Sequence, residues 1–410
     1  MILQGHVLDV IDQIEDGSVS MVMTSPPYWG LRNYGDHRVL WGGDNSCKHE
    51  WVEYVVKGIS GGTKSPKVKV KGEENFQITK DGMVGECIKC GAMCCELGRE
   101  PLPEIYIDHL CDIFDAIKPK LADWGSLYVN LGDTHYGGGQ GEGSNLNRKT
   151  AMSVYNPTAR NKIFPAKSLS MVPFSFAKEM EQRGWILRNV IPWHKPNPMP
   201  FSGKDRWTVD FEYVFFFVKK KNYYFFQQLE KAHEQNFRVQ PKYGGNKAEG
   251  YGNPTYSGKK YEATVMNGTV VRNARTVWYL PTANSRENHF AVYPEELCRA
   301  PISASCPDEV CTKCGQPVYK EWKREEVEYE PGKYYWNITG VKHTYCECNA
   351  PFKPGVVLDP FFGRGTTGKE AMNQGKDWIG IELSKEYVKI AKKYLSIVEE
   401  DDDELGIYDI

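Results

Sequence analysis

The chain has 410 residues, of which 40% are hydrophobic, and its formal net charge at pH 7 is −2. This length allows one elaborated domain or two to three units. A membrane-spanning helix needs about 18 consecutive apolar residues, and no apolar run in the sequence is close to that length. Residues 1–6 lack the basic and apolar regions of a secretory signal, so we expect a cytoplasmic protein. The small net charge neither favours nor excludes a nucleic-acid partner, because binding depends on local basic surface.

Residues 1–35 predict a short strand, a helical stretch and a second strand that ends in a polar and aromatic turn. Residues 18–23 alternate as in a buried strand, and Thr24-Ser25-Pro26-Pro27-Tyr28-Trp29 follow directly. Two prolines must end the strand, because proline lacks an N–H group and restricts its neighbour. Ligands of open α/β sheets bind at such carboxyl ends. The exposed carbonyls, the Ser25 hydroxyl and the flat Tyr28 ring are suited to a planar group bearing an NH2; a Pro-rich turn with a packed tyrosine is the alternative.

Residues 36–98 differ in character, with many glycines and lysines and little periodicity. The chain has twelve cysteines, and in a reducing compartment paired cysteine spacings favour metal over disulfides. Two close pairs of sulfur and nitrogen ligands suit tetrahedral zinc. Buried thiols without metal are the alternative, and Cys94 and Cys95 stay open as other ligands. The predicted ligands in this segment are Cys47, His49, Cys87 and Cys90.

Helices and strands then alternate. Residues 102–121 have apolar positions at helical spacing, and a turn at residues 123–125 leads into a strand at residues 126–133. The polar end of this strand, which includes Asn130, is expected near the site, and a simple strand cap is equally consistent with it. The elements that follow are a helix at 173–184 and strands at 185–193 and 211–219. This alternation predicts an α/β fold with a doubly wound sheet.

The C-terminal part predicts a βαβ unit. A β-branched run ends in Asp359 and a glycine turn, and a second strand ends in Glu382. The glycines let backbone approach a ligand, and the second carboxylate can accept ribose hydroxyls. The lack of a Gly-Lys-Ser/Thr sequence disfavours a phosphate-binding loop, and a dehydrogenase is a distant alternative. Upstream, Cys311, Cys314, Cys346 and Cys348 predict a zinc ribbon with a structural role, since four thiolates leave no open position.

Two motifs together resemble one enzyme family. Ser25-Pro26-Pro27-Tyr28 and the string Asp-Pro-Phe-x-Gly-x-Gly-Thr-Thr from Asp359 resemble the catalytic and cofactor motifs of the DNA methyltransferases that modify N4 of cytosine or N6 of adenine. The resemblance covers roughly residues 1–35, 100–220 and 275–395. It implies a Rossmann-like fold, S-adenosylmethionine as cofactor and double-stranded DNA as partner, and a restriction-modification partner endonuclease stays open. The catalytic motif precedes the cofactor motif, which marks the permuted β arrangement of this family.

The resemblance also implies roles for individual residues. Catalysis falls to Ser25, Pro26, Pro27 and Tyr28, where the Pro26 carbonyl and the Ser25 hydroxyl bind the amine of a flipped base and Tyr28 stacks on its ring. DNA contacts fall to Lys195, Asn197, Lys204 and Arg206. Cofactor contacts fall to Asp359, Pro360, Phe361, Gly363, Gly365, Thr366, Thr367 and Glu382, with His289 and Phe290 closing over the methionine end.

The target base and two rival functions remain to be distinguished. In this family Ser as the first motif residue is more frequent in cytosine-N4 enzymes and Asp in adenine-N6 enzymes, so Ser25 favours N4 of cytosine, with N6 of adenine as the alternative. A catalytically inactive DNA-binding zinc adaptor is a rival hypothesis. His6, which stands where the family often has Asp, is the one motif departure in its favour, and the intact motifs at residues 25–28 and 359–365 and at Glu382 argue against it. Methylation of RNA or protein is a third hypothesis.

The predicted organisation divides the chain into a methyltransferase domain and insertions. Residues 222–276 are rich in aromatic, amide and basic side chains, which suit reading base edges and backbone. We predict a catalytic half at 1–35 and 99–221, a Cys/His insertion at 36–98, a target-recognition region at 222–276, a cofactor half at 277–300 and 350–398, a zinc ribbon at 301–349 and an acidic tail at 399–410.

Overall fold

The computed structural model of the chain describes residues 1–30, 38–44, 46–55, 83–136, 167–198, 201–232, 260–283 and 293–396. The helices in these ranges are α1 (Val7–Val10), α2 (Pro103–Ile117), α3 (Val172–Gln182), α4 (Glu295–Ser305), α5 (Thr366–Asn373) and α6 (Lys385–Tyr394), with a 3-10 turn at Ile11–Gln13. The strands are β1 (Ile2–Gln4), β2 (Val19–Thr24), β3 (Val39–Trp41), β4 (Trp51–Val55), β5 (Met83–Cys87), β6 (Met93–Cys95), β7 (Leu121–Leu131), β8 (Ile186–His194), β9 (Phe211–Val218), β10 (Leu229–Lys231), β11 (Lys260–Met266), β12 (Thr269–Asn273), β13 (Trp278–Tyr279), β14 (Val310–Cys311), β15 (Tyr319–Glu330), β16 (Lys333–Thr344), β17 (Phe352–Lys353), β18 (Val356–Asp359) and β19 (Asp377–Glu382).

The main sheet has eight strands in the order β1-β19-β18-β2-β7-β9-β8-β13. Every neighbouring pair is parallel except the two pairs that β9 makes with β7 and β8. Strands β18 and β2 are adjacent although they lie at opposite ends of the chain, with Val357 opposite Met21. Their carboxyl ends therefore meet at one edge of the sheet, where open α/β sheets bind ligands.

Helices cover both faces of this sheet. All six residues of β2 are buried. Met21 and Met23 pack in the same core cluster as residues of α4 and α5, whereas Val22 packs with residues of α2 and α3 on the other face. The period-two alternation of a strand thus separates two apolar layers. The predicted α/β architecture with a doubly wound sheet is confirmed, and the antiparallel strand β9 makes this sheet mixed.

The predicted turn at residues 123–125 was wrong. These residues lie inside β7, where Leu121 pairs with Val19 but Ser126 pairs with Met21. The four residues of β7 between these pairs therefore lie opposite one residue of β2, as a shift in register. The predicted helix at 102–121 also ends earlier, at Ile117, and Pro119 follows shortly after it. Proline cannot continue a helix and is common just beyond its end.

Three smaller sheets lie outside the main sheet in the part of the chain that the structure describes. Strands β3, β6, β5 and β4 form one of them within the Cys/His insertion. Strands β10, β12, β11, β16 and β15 form another, which joins the predicted recognition region to the long hairpin at 319–344, and residues 233–259 of that region lie outside the described residues. None of the helices described here is long and apolar enough to cross a membrane.

Candidate active site

The Ser-Pro-Pro-Tyr turn leaves the carboxyl end of β2 and is held by a polar network. The Tyr28 hydroxyl donates to Glu212 Oε2 at 2.7 Å and accepts from Asn130 Nδ2 at 2.7 Å. Ser25 Oγ lies 3.2 Å from the Tyr28 hydroxyl oxygen and 3.3 Å from the Asn130 carbonyl oxygen. The predicted position of Asn130 near the site is confirmed, and its amide fixes the orientation of the Tyr28 ring.

Glu212 is a member of this network that the sequence analysis missed. It lies at the start of β9, where its Oε2 also accepts from Asn130 Nδ2 at 2.9 Å. Its Oε1 forms an ion pair with Lys195 Nζ, which lies 4.5 Å from the ring centroid of Trp193. One signal was available: Glu212 is the single charged residue in the otherwise apolar run at 211–218.

The two proline carbonyls and the Tyr28 ring have different surroundings. The Pro27 carbonyl accepts a hydrogen bond of 2.7 Å from the Tyr106 hydroxyl, whereas the Pro26 carbonyl accepts none from the described residues. The Tyr28 ring packs on Gly132, where a Cβ atom would lie 2.8 Å from Tyr28 Cε2. The turn thus presents the Pro26 carbonyl as an acceptor beside the Tyr28 ring, one face of which packs on Gly132.

The second motif begins at the carboxyl end of β18 with the buried Asp359. Its Oδ1 accepts from Thr24 Oγ1 at 2.6 Å and from the Phe361 N–H at 3.0 Å. Its Oδ2 accepts from the Tyr293 hydroxyl at 2.9 Å and from Thr367 Oγ1 at 2.7 Å. Burial raises the pKa of the Asp359 carboxyl above its ordinary value. Each carboxylate oxygen of Asp359 thus accepts two hydrogen bonds, and these bonds stabilise the turn.

Glu382 ends β19 on the other side of the glycine turn. Its Oε2 accepts from the Gly363 N–H and its Oε1 from the Ser384 N–H, both at 2.8 Å. Burial raises the pKa of Glu382 to about 7. The side chain remains partly exposed, so its carboxylate can still accept hydrogen bonds from hydroxyl groups of a ligand.

Close packing explains the glycines between these two acids. Gly365 has a φ of +93°, which a residue with a side chain rarely adopts. Phe362 is buried beneath the turn, and a Cβ atom at Gly380 would lie 2.3 Å from its ring. The other predicted cofactor residues surround this turn: Pro360, Thr366 and Thr367 are buried, and Phe361 and Gly363 are partly exposed. His289 and Phe290 lie outside the described residues.

Comparison with known proteins shows which family has a sequence similar to this chain. A model of the DNA methylase family that comprises N6 and N4 methyltransferases matches residues 19–393. The chain belongs to this family. It is 27% identical over 392 residues to the type II methyltransferase M.Cfr9I of Citrobacter freundii. This match covers 95% of this chain and 85% of the relative. It is 26% identical over 394 residues to the type II methyltransferase M.SmaI of Serratia marcescens, and this match covers 96% of this chain and 89% of the relative.

Solved structures of DNA methylases are also similar to this chain. The PvuII DNA methyltransferase, which is cytosine-N4-specific, matches with a TM-score of 0.46 and 14% identity. The match covers 98% of this chain and 87% of that one.

The four residues predicted to contact DNA in this methylase have different environments. Lys195 points into the site, where it pairs with Glu212. The Asn197 side chain donates to Thr282 Oγ1 and accepts from the Thr282 N–H, both at 3.0 Å. Lys204 is exposed, and Arg206 is exposed with its guanidinium 4.2 Å from the Phe201 ring. The structure therefore brings only Lys195 into contact with the catalytic network.

Among its described residues, the methylase also has two clusters of four potential metal ligands each. The side chains of Cys47, His49, Cys87 and Cys90 form one, and those of Cys311, Cys314, Cys346 and Cys348 form the other, with the ligand atoms of each cluster within 4.8 Å of one another. Cys47 Sγ and Cys87 Sγ are 3.9 Å apart, and two sulfurs on one tetrahedral zinc would be about 3.8 Å apart. The donor sets and their spacing therefore fit zinc.

Both clusters contain the same backbone knuckle. The N–H of Gly91 donates to the Cys87 carbonyl at 2.8 Å, and the N–H of Gly315 donates to the Cys311 carbonyl at 3.0 Å. Both glycines have positive φ values, +70° and +66°, which explains the glycine that follows each Cys-x-x-Cys pair. The turn directs two thiols of each cluster to the same point.

Proposed function

We propose that this protein transfers a methyl group from S-adenosylmethionine to the exocyclic amine of a base that is flipped out of double-stranded DNA. Membership in the DNA methylase family supports the class of reaction. The observation that carries the proposal is the hydrogen bond between Thr24 and Asp359, which holds the ends of the catalytic and cofactor strands side by side. Donor and acceptor sites at adjacent strand ends permit the in-line approach that methyl transfer needs.

The residues of the cofactor turn would bind S-adenosylmethionine, which supplies an electrophilic methyl group on its sulfonium. The Glu382 carboxylate would accept hydrogen bonds from the ribose hydroxyls. Gly363 and Gly365 let the backbone approach the ligand closely, because no side chain intervenes. Asp359 holds the shape of this turn through its own buried hydrogen bonds.

The residues of the catalytic turn would bind and orient the target base. Extracting a base costs a few kcal/mol, which stacking on the Tyr28 ring helps to offset. The Pro26 carbonyl and Ser25 Oγ accept hydrogen bonds from the NH2 group. These bonds would reduce the conjugation of the nitrogen with its ring and orient its lone pair. The nitrogen–carbon bond would form as the bond from the sulfonium to the methyl group breaks, and the amine would lose one proton to solvent. Glu212 and Asn130 restrict the Tyr28 ring to one orientation.

N4 of cytosine is the target that we propose, with N6 of adenine as the alternative. Ser25 supports this choice, because Ser at this position is more frequent in the cytosine-N4 enzymes of the family. Both amines are bonded to an aromatic ring and carry two hydrogens, so the same turn suits either base.

The type II relatives support a site-specific enzyme. We propose that residues 222–276 read the DNA sequence and that Lys204 and Arg206 contact phosphate. The order of the motifs along the chain, with β2 before β18, supports the permuted β arrangement. A cognate restriction endonuclease is the partner that this class of enzyme suggests.

We further propose that the two Cys/His clusters each hold one zinc ion with a structural role. Each cluster supplies four ligands, which leaves no open coordination position for a substrate. Zinc would then stabilise the four-stranded insertion sheet and the ribbon that carries the 319–344 hairpin.

A methyl-transfer assay with labelled S-adenosylmethionine tests this function. The wild-type protein should label duplex DNA, and Tyr28→Ala should abolish most labelling while calorimetry shows unchanged cofactor binding. Tyr329→Ala, an exposed tyrosine of the long hairpin, is the matched control. Cofactor binding without labelled DNA would support the inactive adaptor or, if RNA or protein is labelled instead, another substrate.

A further inference from the structure

The segment that returns from the Cys/His insertion packs directly against the catalytic turn. The carbonyl of Gly98 accepts a hydrogen bond of 2.9 Å from the N–H of Gly30. Gly98 has a φ of +90°, and a Cβ atom there would lie 3.0 Å from the carbonyl oxygen of Tyr28 and 3.4 Å from Pro27 Cβ. Residues 96–100 therefore form one wall of the catalytic turn.

Glu100 organises this wall. It is 2% exposed, and its Oε2 accepts from the N–H of Gly98 at 2.8 Å. Its backbone carbonyl accepts from Trp29 Nε1 at 2.9 Å, so the same residue binds the wall and the catalytic turn. Its Oε1 lies 3.0 Å from Nδ1 of His109 on helix α2.

The insertion sheet and helix α2 together hold Glu100 in place. Trp41 of β3 stacks on His109 with ring centroids 4.2 Å apart. Its indole N–H donates to the Cys95 carbonyl of β6 at 3.1 Å. His109, which contacts the Glu100 carboxylate, is therefore held by Trp41 of β3, and Trp41 is held by its hydrogen bond to β6.

A metal site at the same place is the competing interpretation. The potential ligand atoms of Cys95, Glu100 and His109 lie within 4.8 Å of one another. Each oxygen of Glu100, however, already has a partner in the Gly98 N–H or the His109 ring. We therefore interpret Glu100 and His109 as a hydrogen-bonded pair, with the Cys95 thiol beside it.

We propose that Glu100 is a positioning residue, through which the Cys/His insertion holds Pro27 and Tyr28 of the catalytic turn at the geometry required for methyl transfer. The inference rests on the proposed function, because it concerns the same catalytic turn. Without the carboxylate, the buried N–H of Gly98 loses its acceptor, and a buried donor without an acceptor is unfavourable. The wall then relaxes by moving, and the turn that packs on it moves as well. A displacement of about 1 Å can lower turnover about 100-fold.

The experiment compares Glu100→Ala and Glu100→Gln with Glu104→Gln, an exposed carboxylate in the first turn of α2. Glu100→Ala should lower kcat about 100-fold while the affinity for S-adenosylmethionine stays unchanged. Glu100→Gln should retain much of the activity, because its amide oxygen still accepts from Gly98. Glu104→Gln should match the wild type.

Hydrogen exchange measured by mass spectrometry gives a readout that does not depend on activity. Glu100→Ala should accelerate exchange in peptides covering residues 28–30 and leave those covering β2 and β7 unchanged. Two results would overturn the proposal. One is wild-type turnover and wild-type exchange in Glu100→Ala. The other is a loss of protection that is equal over the whole chain and is accompanied by loss of S-adenosylmethionine binding. A wild-type protein that methylates no DNA would refute the proposed function instead, and the exchange comparison would still test the positioning role.

Discussion

Thr24 Oγ1 donates a hydrogen bond of 2.6 Å to Oδ1 of Asp359, a residue 335 positions away in the chain. The bond is buried, and it joins the last residue of β2 to the last residue of β18. The catalytic turn begins one residue after the first, and the glycine turn follows the second. The spacing between the catalytic turn and the glycine turn is therefore set by adjacent strands of one sheet.

Gly132→Ala should impair catalysis by displacing the Tyr28 ring. The added Cβ would lie 2.8 Å from Tyr28 Cε2, so the ring must shift. We expect kcat to fall about 10- to 100-fold, with unchanged affinity for S-adenosylmethionine in calorimetry, because the cofactor turn lies on other strands. Activity equal to that of the wild type would show that the packing of the ring on Gly132 is irrelevant to the reaction.

Glu212→Gln should lower turnover because it weakens the network that orients Tyr28. The neutral amide loses the ion pair with Lys195 and is a weaker acceptor for the Tyr28 hydroxyl. We expect a fall in kcat of about tenfold or more. Glu181→Gln, an exposed carboxylate on α3, is the control. If both variants have the same steady-state kinetics, Glu212 has no role in the pocket.

The affinity for S-adenosylmethionine should depend on pH through Glu382. Its pKa is raised to about 7 by burial. The ionised form is the better acceptor for ribose hydroxyls, so binding favours loss of the proton. Affinity should therefore rise with pH up to about 7 and then level off, falling by up to tenfold for each pH unit below that value. Calorimetry from pH 5.5 to 8, a range spanning about one unit or more on each side, measures this.

Glu382→Gln provides the control for this prediction. The amide does not titrate, so its binding curve should lose the part of the pH dependence that Glu382 contributes. Identical profiles for the variant and the wild type would mean that another group controls the pH response.

The purified protein should contain two zinc ions per chain, one for each four-ligand cluster. Cys90→Ser and Cys314→Ser should each remove one ion in elemental analysis by mass spectrometry, because a serine hydroxyl is a poor zinc ligand. Cys94→Ser should retain both, since Cys94 belongs to neither cluster. Metal content that falls with Cys94→Ser but not with Cys90→Ser would contradict this ligand assignment.

Local patterns in the sequence were enough to predict most of the main sheet and both of its motifs. The strand before Ser25 and the strands that end at Asp359 and Glu382 lie within one or two residues of their predicted positions. The paired cysteines were predicted from spacing alone, and the structure brings each set together. These features depend on residues that are close in the chain.

Contacts between distant segments could not be predicted in this way. Glu212 meets Tyr28 across 184 positions because β7 and β9 are paired in the sheet, and no local pattern encodes that neighbour. The pairing of β11 with β16 and the packing of Gly98 on Tyr28 are further examples. Strand order and the path of an insertion result from packing of the whole fold.

Nucleoside mass spectrometry tests the central claim most directly. Unmodified duplex DNA is incubated with the purified protein and S-adenosylmethionine, digested to nucleosides and analysed beside a Tyr28→Ala control. We predict N4-methylcytosine with the wild type and none with the variant; N6-methyladenine would keep the mechanism and change the base. No methylated nucleoside, in a protein that still binds S-adenosylmethionine, would contradict the assignment of this pocket to methylation of DNA amines.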